Sequence, residues 1–344
     1  MSEIRYDPLQ DRWVIIAPHR SERPSDFAAE TGTEKTIPCP FCPGREHETP
    51  PELWAVREAG SRPDGPGWSV RVIPNRFPAL NREKDYAESR NDILKCLNGY
   101  GAHEVIIESP RHGDGLADLS PSHLVAVLTA FRIRLRVLGQ DPRLKYALIF
   151  KNYRDQAGAS LAHPHSQLIA TPVIPQSIRR KLEAARRHYR ESGRCLVCSL
   201  LQAERGQEIR VIGEKSGFIA LSPYAARFPF EIFIAPDVHT HDFADSTDRQ
   251  LENLAEILQD MLQRLKRTAD DPPYNLFLNT SPFAPHSPRG MNPDHGSATH
   301  GFHWHLEILP RQTAVAGFEW GSGFHINTSS PEQCARVLRR AHDP

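Results

Sequence analysis

Residues 104–112 read "EVIIESPRH", and residues 231–239 read "EIFIAPDVH". In each, a glutamate opens a run rich in β-branched residues, and a proline and then a histidine close it. Glu104 precedes His112 by eight residues, and Glu231 precedes His239 by eight. The surroundings match as well. "CPFC" (39–42) lies upstream of the first run and "CLVC" (195–198) upstream of the second. "NRFP" (75–78) and "ARFP" (226–229) lead into them, and "HPH" (163–165) and "HWH" (303–305) follow. Between each run and its HxH, a helical pattern is followed by a strand that opens at tyrosine, "YALIFKN" (146–152) or "YNLFLNT" (274–280). The first helix has Ser120 as N-cap and Pro121 at its first position. The second has Leu251, Leu254, Ile257, Leu258, Met261 and Leu265 at helical spacing. Landmarks shared in one order predict an α+β unit duplicated in tandem, with antiparallel sheets and packed helices. The expected halves are residues 1–172 and 173–344, with a connecting helix within 173–194. Shared strand edges can still fuse both halves into one body.

The charge balance narrows the function. Lys+Arg and Asp+Glu both number 42, so the net charge is zero. That argues against a protein that coats nucleic acid or an anionic membrane. The opening "MSEIRYDPLQ" lacks the basic and apolar regions of a secretory signal, and no run is long enough to span a membrane. The expected compartment is the cytoplasm, where cysteine pairs serve metal binding or redox chemistry more often than disulfides.

Four of the six cysteines fall in the two CxxC pairs. A CxxC turn presents two thiolates to one centre, and two distant ligands complete a tetrahedral zinc site. The expected sets are Cys39, Cys42, His112 and His163, and Cys195, Cys198, His239 and His303. A redox pair is the other reading of a lone CxxC, but it leaves the matched histidines unexplained. In the second set, His241 and His305 compete as ligands. Four protein ligands leave no open position, so the expected zinc is structural. His103 reads as an ordinary polar residue, and Cys96 and Cys334 as small packed side chains.

With His163 assigned to metal, His165 is free. Alternate residues of a strand share a face, so His165 and Gln167 address one ligand. Pro164 places this strand at an edge or a bulge. A neutral imidazole attacks phosphorus to form a covalent intermediate, and the Gln167 amide can donate to a phosphate oxygen. Ser160 and Asn152 offer further donors. A lone histidine is ordinarily a satisfied core residue, but HxHxQ on one face favours chemistry. The second half has Glu307 at the position of Gln167, and a carboxylate there repels phosphate. Catalysis is therefore expected in the first half only.

"HPHSQ", "CPFC" and "SPRH" together resemble the galactose-1-phosphate uridylyltransferase family of the histidine-triad superfamily. "RYDPLQDRWVIIAPHRSERP" (5–24), "VIPNRFPAL" (72–80) and "AVAGFEWGSGFHIN" (314–327) are similar to its opening, its nucleotide-binding segment and its C-terminal strand. The resemblance implies a ping-pong reaction in which His165 carries a nucleotidyl group between a nucleotide sugar and a hexose 1-phosphate. It implies that Gln167 and Ser160 contact the transferred phosphate, that Asn75, Phe77 and Asn152 lie near the nucleotide, and that the protein is a homodimer. Ser166, Leu161-Ala162, Ser322-Gly323 and the second CxxC depart from the commonest family pattern. They resemble the two-zinc branch that includes ADP-glucose phosphorylases, so adenylyl transfer from ADP-glucose is the alternative to uridylyl transfer. A nucleotide hydrolase of this superfamily would carry a third histidine at Gln167. A zinc-stabilised binding module would carry a basic, aromatic stripe.

Overall fold

A computed structural model of the chain describes residues 2–22, 38–83, 85–283 and 301–341. The strands in chain order are β1 (Glu3–Asp7), β2 (Arg12–Ile16), β3 (Trp54–Arg57), β4 (Trp68–Pro74), β5 (Glu88–Asn91), β6 (Leu94–Leu97), β7 (Ala102–Ile107) and β8 (Tyr146–Tyr153). They continue as β9 (His165–Thr171), β10 (Val211–Lys215), β11 (Phe218–Leu221), β12 (Ile232–Pro236), β13 (Tyr274–Asn279), β14 (His305–Pro310) and β15 (His325–Asn327). The helices are α1 (Pro121–Gly139), α2 (Gln176–Ser192), α3 (Leu196–Gln207), α4 (Asp248–Thr268), α5 (Gly317–Ser322) and α6 (Pro331–Arg340).

Ten strands form one sheet in the order β10-β11-β12-β14-β13-β8-β9-β7-β4-β3. Every neighbouring pair is antiparallel. The halves meet where β8 pairs with β13, opposing Phe150 to Phe277 and Asn152 to Asn275. The expected α+β class holds, with the two sheets merged into one.

The helices follow the sequence signals. Ser120 accepts a hydrogen bond from the His123 N–H at the start of α1, and Thr247 with Gln250 closes a capping box on α4. These two helices cover one face of the sheet. Leu124, Phe131 and Leu135 of α1, and Leu254, Leu258 and Met261 of α4, share a single core with Ile106, Leu168, Leu276 and Leu306 of the strands. That core runs beneath both halves. α2 falls within the expected connecting segment.

Three expectations need correction. β9 is an interior strand between β7 and β8 rather than an edge. Pro164 is tolerated because it precedes the strand's first residue, where no ladder donor is required, and its carbonyl accepts the Glu108 N–H at 3.0 Å. Residues 314–327 are mostly not a strand. Glu319 accepts the Ala316 N–H to cap α5, Gly323 ends that helix at φ +74°, and only His325–Asn327 is extended. It pairs in parallel with β2. Cys96 is exposed on β6, whereas Cys334 is buried as expected.

The equal spacing of Glu104 and Glu231 conceals different jobs. Glu104 lies inside β7, faces α1, and binds the Arg134 guanidinium through two 2.7 Å hydrogen bonds. Glu231 precedes β12 and binds Arg227 at 2.8 Å. Removing one partner of a buried pair strands the other charge. Glu104→Ala is therefore expected to cost about 3–5 kcal/mol in urea unfolding. Glu214→Ala, which breaks the exposed pair with Arg205, should cost less than about 1 kcal/mol.

Candidate active site

The first Cys/His set converges. Cys39, Cys42, His112 and His163 bring one ligand atom each within 4.8 Å of one another. Cys42 Sγ lies 3.5 Å from His112 Nδ1 and 3.6 Å from His163 Nδ1. Zinc bonds of about 2.3 Å to sulfur and 2.0–2.1 Å to nitrogen give a tetrahedral S···N edge of about 3.6 Å. The set therefore has the dimensions of a tetrahedral metal site. His163 is fully buried, and its Nε2–H donates to the Ser109 carbonyl at 2.8 Å. That bond leaves the Nδ1 lone pair available to a metal.

His165 has the opposite tautomer. Its Nδ1–H donates to the His163 carbonyl at 2.8 Å, so the Nε2 lone pair is unspent. Burial, reinforced by the Lys151 ammonium, depresses its pKa and favours the neutral ring. Phe41, from within CPFC, makes edge-to-face contacts with both histidines at centroid distances of 6.0 and 5.5 Å. Behind β9, Lys151 binds Glu108 at 2.7 Å and the His165 carbonyl at 3.2 Å, and both charged side chains are buried. The Ser166 hydroxyl donates to the other Glu108 oxygen at 2.5 Å.

Pairing sets the faces. Val105 and Phe150 oppose Gln167, and Ile107 opposes His165. Paired residues of antiparallel strands share a face, so His103, Gln167, Phe150 and Phe277 lie on the His165 side, all half-buried. α1 and α4 pack on the other side. The His165 face of the first half is thus the more open one.

In the second half, Cys195, Cys198, His239 and His303 also bring ligand atoms within 4.8 Å. Cys198 Sγ lies 3.4 Å from His303 Nδ1 and 3.8 Å from His239 Nδ1. His303 Nε2–H donates to the Pro236 carbonyl at 3.0 Å, and His305 Nδ1–H donates to the His303 carbonyl at 2.8 Å. The hydrogen-bond pattern of HPH is repeated in HWH. The surroundings differ. Lys181 of α2 reaches in, placing its Nζ 3.2 Å from His305 Nε2, 2.5 Å from Glu307 and 2.7 Å from Asn279. Arg227 also binds Glu307, and Gln10 donates to it at 2.9 Å. Burial alone would raise the Glu307 pKa, but Lys181 and Arg227 outweigh it and hold the carboxyl well below its usual range. Leu9, Leu196, Leu201 and Phe233 pack over the same face.

The chain matches the model of the galactose-1-phosphate uridyl transferase N-terminal domain over residues 1–175, and that of the C-terminal domain over residues 148–340. It belongs to the galactose-1-phosphate uridyl transferase family. The ADP-glucose phosphorylase of Arabidopsis thaliana is 37% identical over 98% of this chain and 92% of its own. The galactose-1-phosphate uridylyltransferase of Thermotoga maritima is 29% identical over 98% of each. Among solved structures, the Arabidopsis ADP-glucose phosphorylase with bound ADP-glucose superposes with a TM-score of 0.81 at 34% identity, covering 98% of each chain. A uridylyltransferase structure gives 0.74 at 27% identity, covering 99% of this chain and 98% of that one.

Against this family background the remaining expected site residues can be placed. Asn75 and Gln167 both approach His103: Asn75 Nδ2 is 3.1 Å and Gln167 Oε1 2.8 Å from His103 Nε2. Phe77 is 83% exposed on the loop after β4, with the Arg76 guanidinium over its ring. The Asn152 carboxamide is engaged within the protein, donating to Gly158 at 3.3 Å and accepting from Asn275 at 2.9 Å. Ser160 is exposed on the loop before His163. Ser166 faces away from Gln167, is 1% exposed and is spent on Glu108. Its presence therefore cannot report directly on which base is bound. Sequence reasoning missed His103, Phe41, Glu108, Lys151 and Lys181. His103 was legible in principle, since it shares a face with the strand residue opposite Gln167.

His163→Ala should lose one metal equivalent and lower the unfolding midpoint, whereas His165→Ala should retain both, measured by elemental analysis and thermal melts. Equal metal loss in both would contradict the division of labour. Ser166→Ala leaves a buried Glu108 oxygen without its donor and should cost about 1–3 kcal/mol in urea unfolding, with nucleotide preference unchanged.

Proposed function

We propose that the protein is a nucleotidyltransferase working by double displacement through His165. The observation that carries this is the Nδ1–H bond to the His163 carbonyl, which leaves Nε2 as the nucleophile on the open face. In the first step the Nε2 lone pair attacks the α-phosphorus of a nucleotide sugar. An Nε2–P bond forms, and the P–O bond to the hexose 1-phosphate breaks with its electron pair on the leaving oxygen. The Nδ1–H remains in place, and the His163 carbonyl takes up the positive charge that develops on the ring. In the second step a phosphate oxygen of the acceptor attacks phosphorus, and the electron pair returns to Nε2. Gln167 donates its amide to a non-bridging oxygen in both steps, with Ser160 on the approach loop. Asn75 and Phe77 receive the nucleoside, and Asn152 shapes the neighbouring loop.

The first reading of the substrates is UDP-glucose and galactose 1-phosphate, exchanged for glucose 1-phosphate and UDP-galactose. A second reading, ADP-glucose with inorganic phosphate as acceptor, is favoured by the 37% identity to the Arabidopsis phosphorylase. Gln167 in place of a third histidine speaks against hydrolysis, and the neutral net charge against a nucleic-acid-binding module. Zinc is the metal that suits both Cys2His2 sets, and it would clamp loop to strand while taking no part in the reaction. In the same reading, residues 1–172 form the catalytic half and 173–344 the structural half. The enzyme acts as a homodimer, and reduced thiolate ligands suit the cytoplasm. No helix among the described residues is long and apolar enough to cross a membrane.

The test is to incubate the protein with UDP-glucose or ADP-glucose carrying a labelled α-phosphate and quantify the acid-labile protein adduct. Label from UDP-glucose, discharged by galactose 1-phosphate, is the expected result. Label from ADP-glucose alone, discharged by inorganic phosphate, would establish the second reading. No label from either, in metal-loaded protein, would sink the covalent mechanism. His165→Ala should abolish labelling.

A further inference from the structure

His103 is the second residue of β7, half-buried on the face that carries His165 and Gln167. Its tautomer can be read from its partners. The Ala79 backbone N–H donates to His103 Nδ1 at 3.2 Å, so that nitrogen holds a lone pair. A neutral imidazole has one N–H, which therefore sits on Nε2. Nε2 lies 2.8 Å from Gln167 Oε1 and so donates to it. This fixes the Gln167 carboxamide: the oxygen is held by His103, which leaves the NH2 as the end free of that bond.

The same reasoning orients Asn75. Its Oδ1 accepts the Phe77 N–H at 2.8 Å, so its NH2 is the end beside the ring. Nε2 already donates, so it cannot also accept from Asn75 Nδ2 at 3.1 Å. The Asn75 amide hydrogens are therefore not spent on His103. Two carboxamides beside His103 thereby keep their donors, not their acceptors, uncommitted to the ring. That is the polarity an anionic phosphoryl group requires.

We propose that His103 is a positioning residue that locks the Gln167 amide with its nitrogen toward the transferring phosphoryl group. This rests on the reading of Gln167 as the phosphoryl donor. Without His103, the Gln167 carboxamide can turn over and direct its oxygen at the phosphate, which repels it. Catalytic donors act by being oriented before charge develops, so loss of the orienting bond reduces turnover more than substrate binding.

A double-mutant cycle tests this, with UDP-glucose and ADP-glucose each assayed as donor. His103→Asn keeps an acceptor for the Ala79 N–H but has no donor within reach of Gln167. His103→Gln restores a donor of similar reach. His103→Asn should lower kcat on the order of 10- to 100-fold with KM nearly unchanged, since loss of a whole oxyanion donor costs about 100- to 1000-fold. His103→Gln should recover most of the loss. In a Gln167→Ala background, His103→Asn should have less than about a twofold further effect. Metal content and unfolding midpoint, measured on each variant, check the scaffold. If His103→Asn melts early, the comparison of His103→Gln with Gln167→Ala decides: turnover as low as in Gln167→Ala despite an intact fold overturns the proposal. A full His103→Asn penalty in the Gln167→Ala background would also overturn it. Unchanged turnover in Gln167→Ala alone would instead defeat the underlying reading of Gln167.

Discussion

Two backbone carbonyls decide what the two histidines of "HPH" do. The Ser109 carbonyl takes the Nε2–H of His163 and turns Nδ1 toward the thiolates. The His163 carbonyl takes the Nδ1–H of His165 and leaves the Nε2 lone pair unspent. The rings are two residues apart yet have opposite tautomers. The Cys2His2 set brings residues 39–42 and 112 to the start of β9, where a bound metal would fasten them, and the buried Lys151–Glu108–Ser166 network fixes the strand from behind. A buried ion pair is poor evidence of net stability. Here its use is geometric, because Lys151 also bonds the His165 carbonyl.

The two halves share this hydrogen-bond pattern, and they differ in what lies over it. His305 has the same Nδ1–H bond to the residue two before it, so its Nε2 would be equally nucleophilic. Lys181 occupies that nitrogen, and Glu307 with Arg227 compensates the buried ammonium. Leucines of α3 and of the N-terminal segment complete the cover. The connecting helix thus does more than join the repeats: it supplies the side chain that closes the second copy. Because β8 and β13 join the sheets, both copies rest on one core.

Much of this was legible in the sequence because it is periodic or spaced. CxxC and HxH announce metal ligands by spacing, and the repeat announces the tandem architecture. The asymmetry of Gln167 and Glu307 is visible by aligning the halves. What was not legible depends on pairing across distant strands. His103 became significant only when β7 and β9 paired and brought it to Gln167. Lys181 lies in the arginine-rich connecting helix, and only its packing shows that one cation points inward. Ser166 was visible, but its direction was not. Its hydroxyl points to Glu108, on the side of β9 away from Gln167.

The central claim is that His165 and His163 have opposite tautomers. Nitrogen NMR of protein labelled with 15N-histidine, with signals assigned by difference from His165→Ala and His163→Ala, tests it directly. The account predicts a protonated Nδ1 and a bare Nε2 on His165, alongside a protonated Nε2 and a metal-bound Nδ1 on His163. A proton on His165 Nε2 in the free protein, with Nδ1 bare, would contradict it.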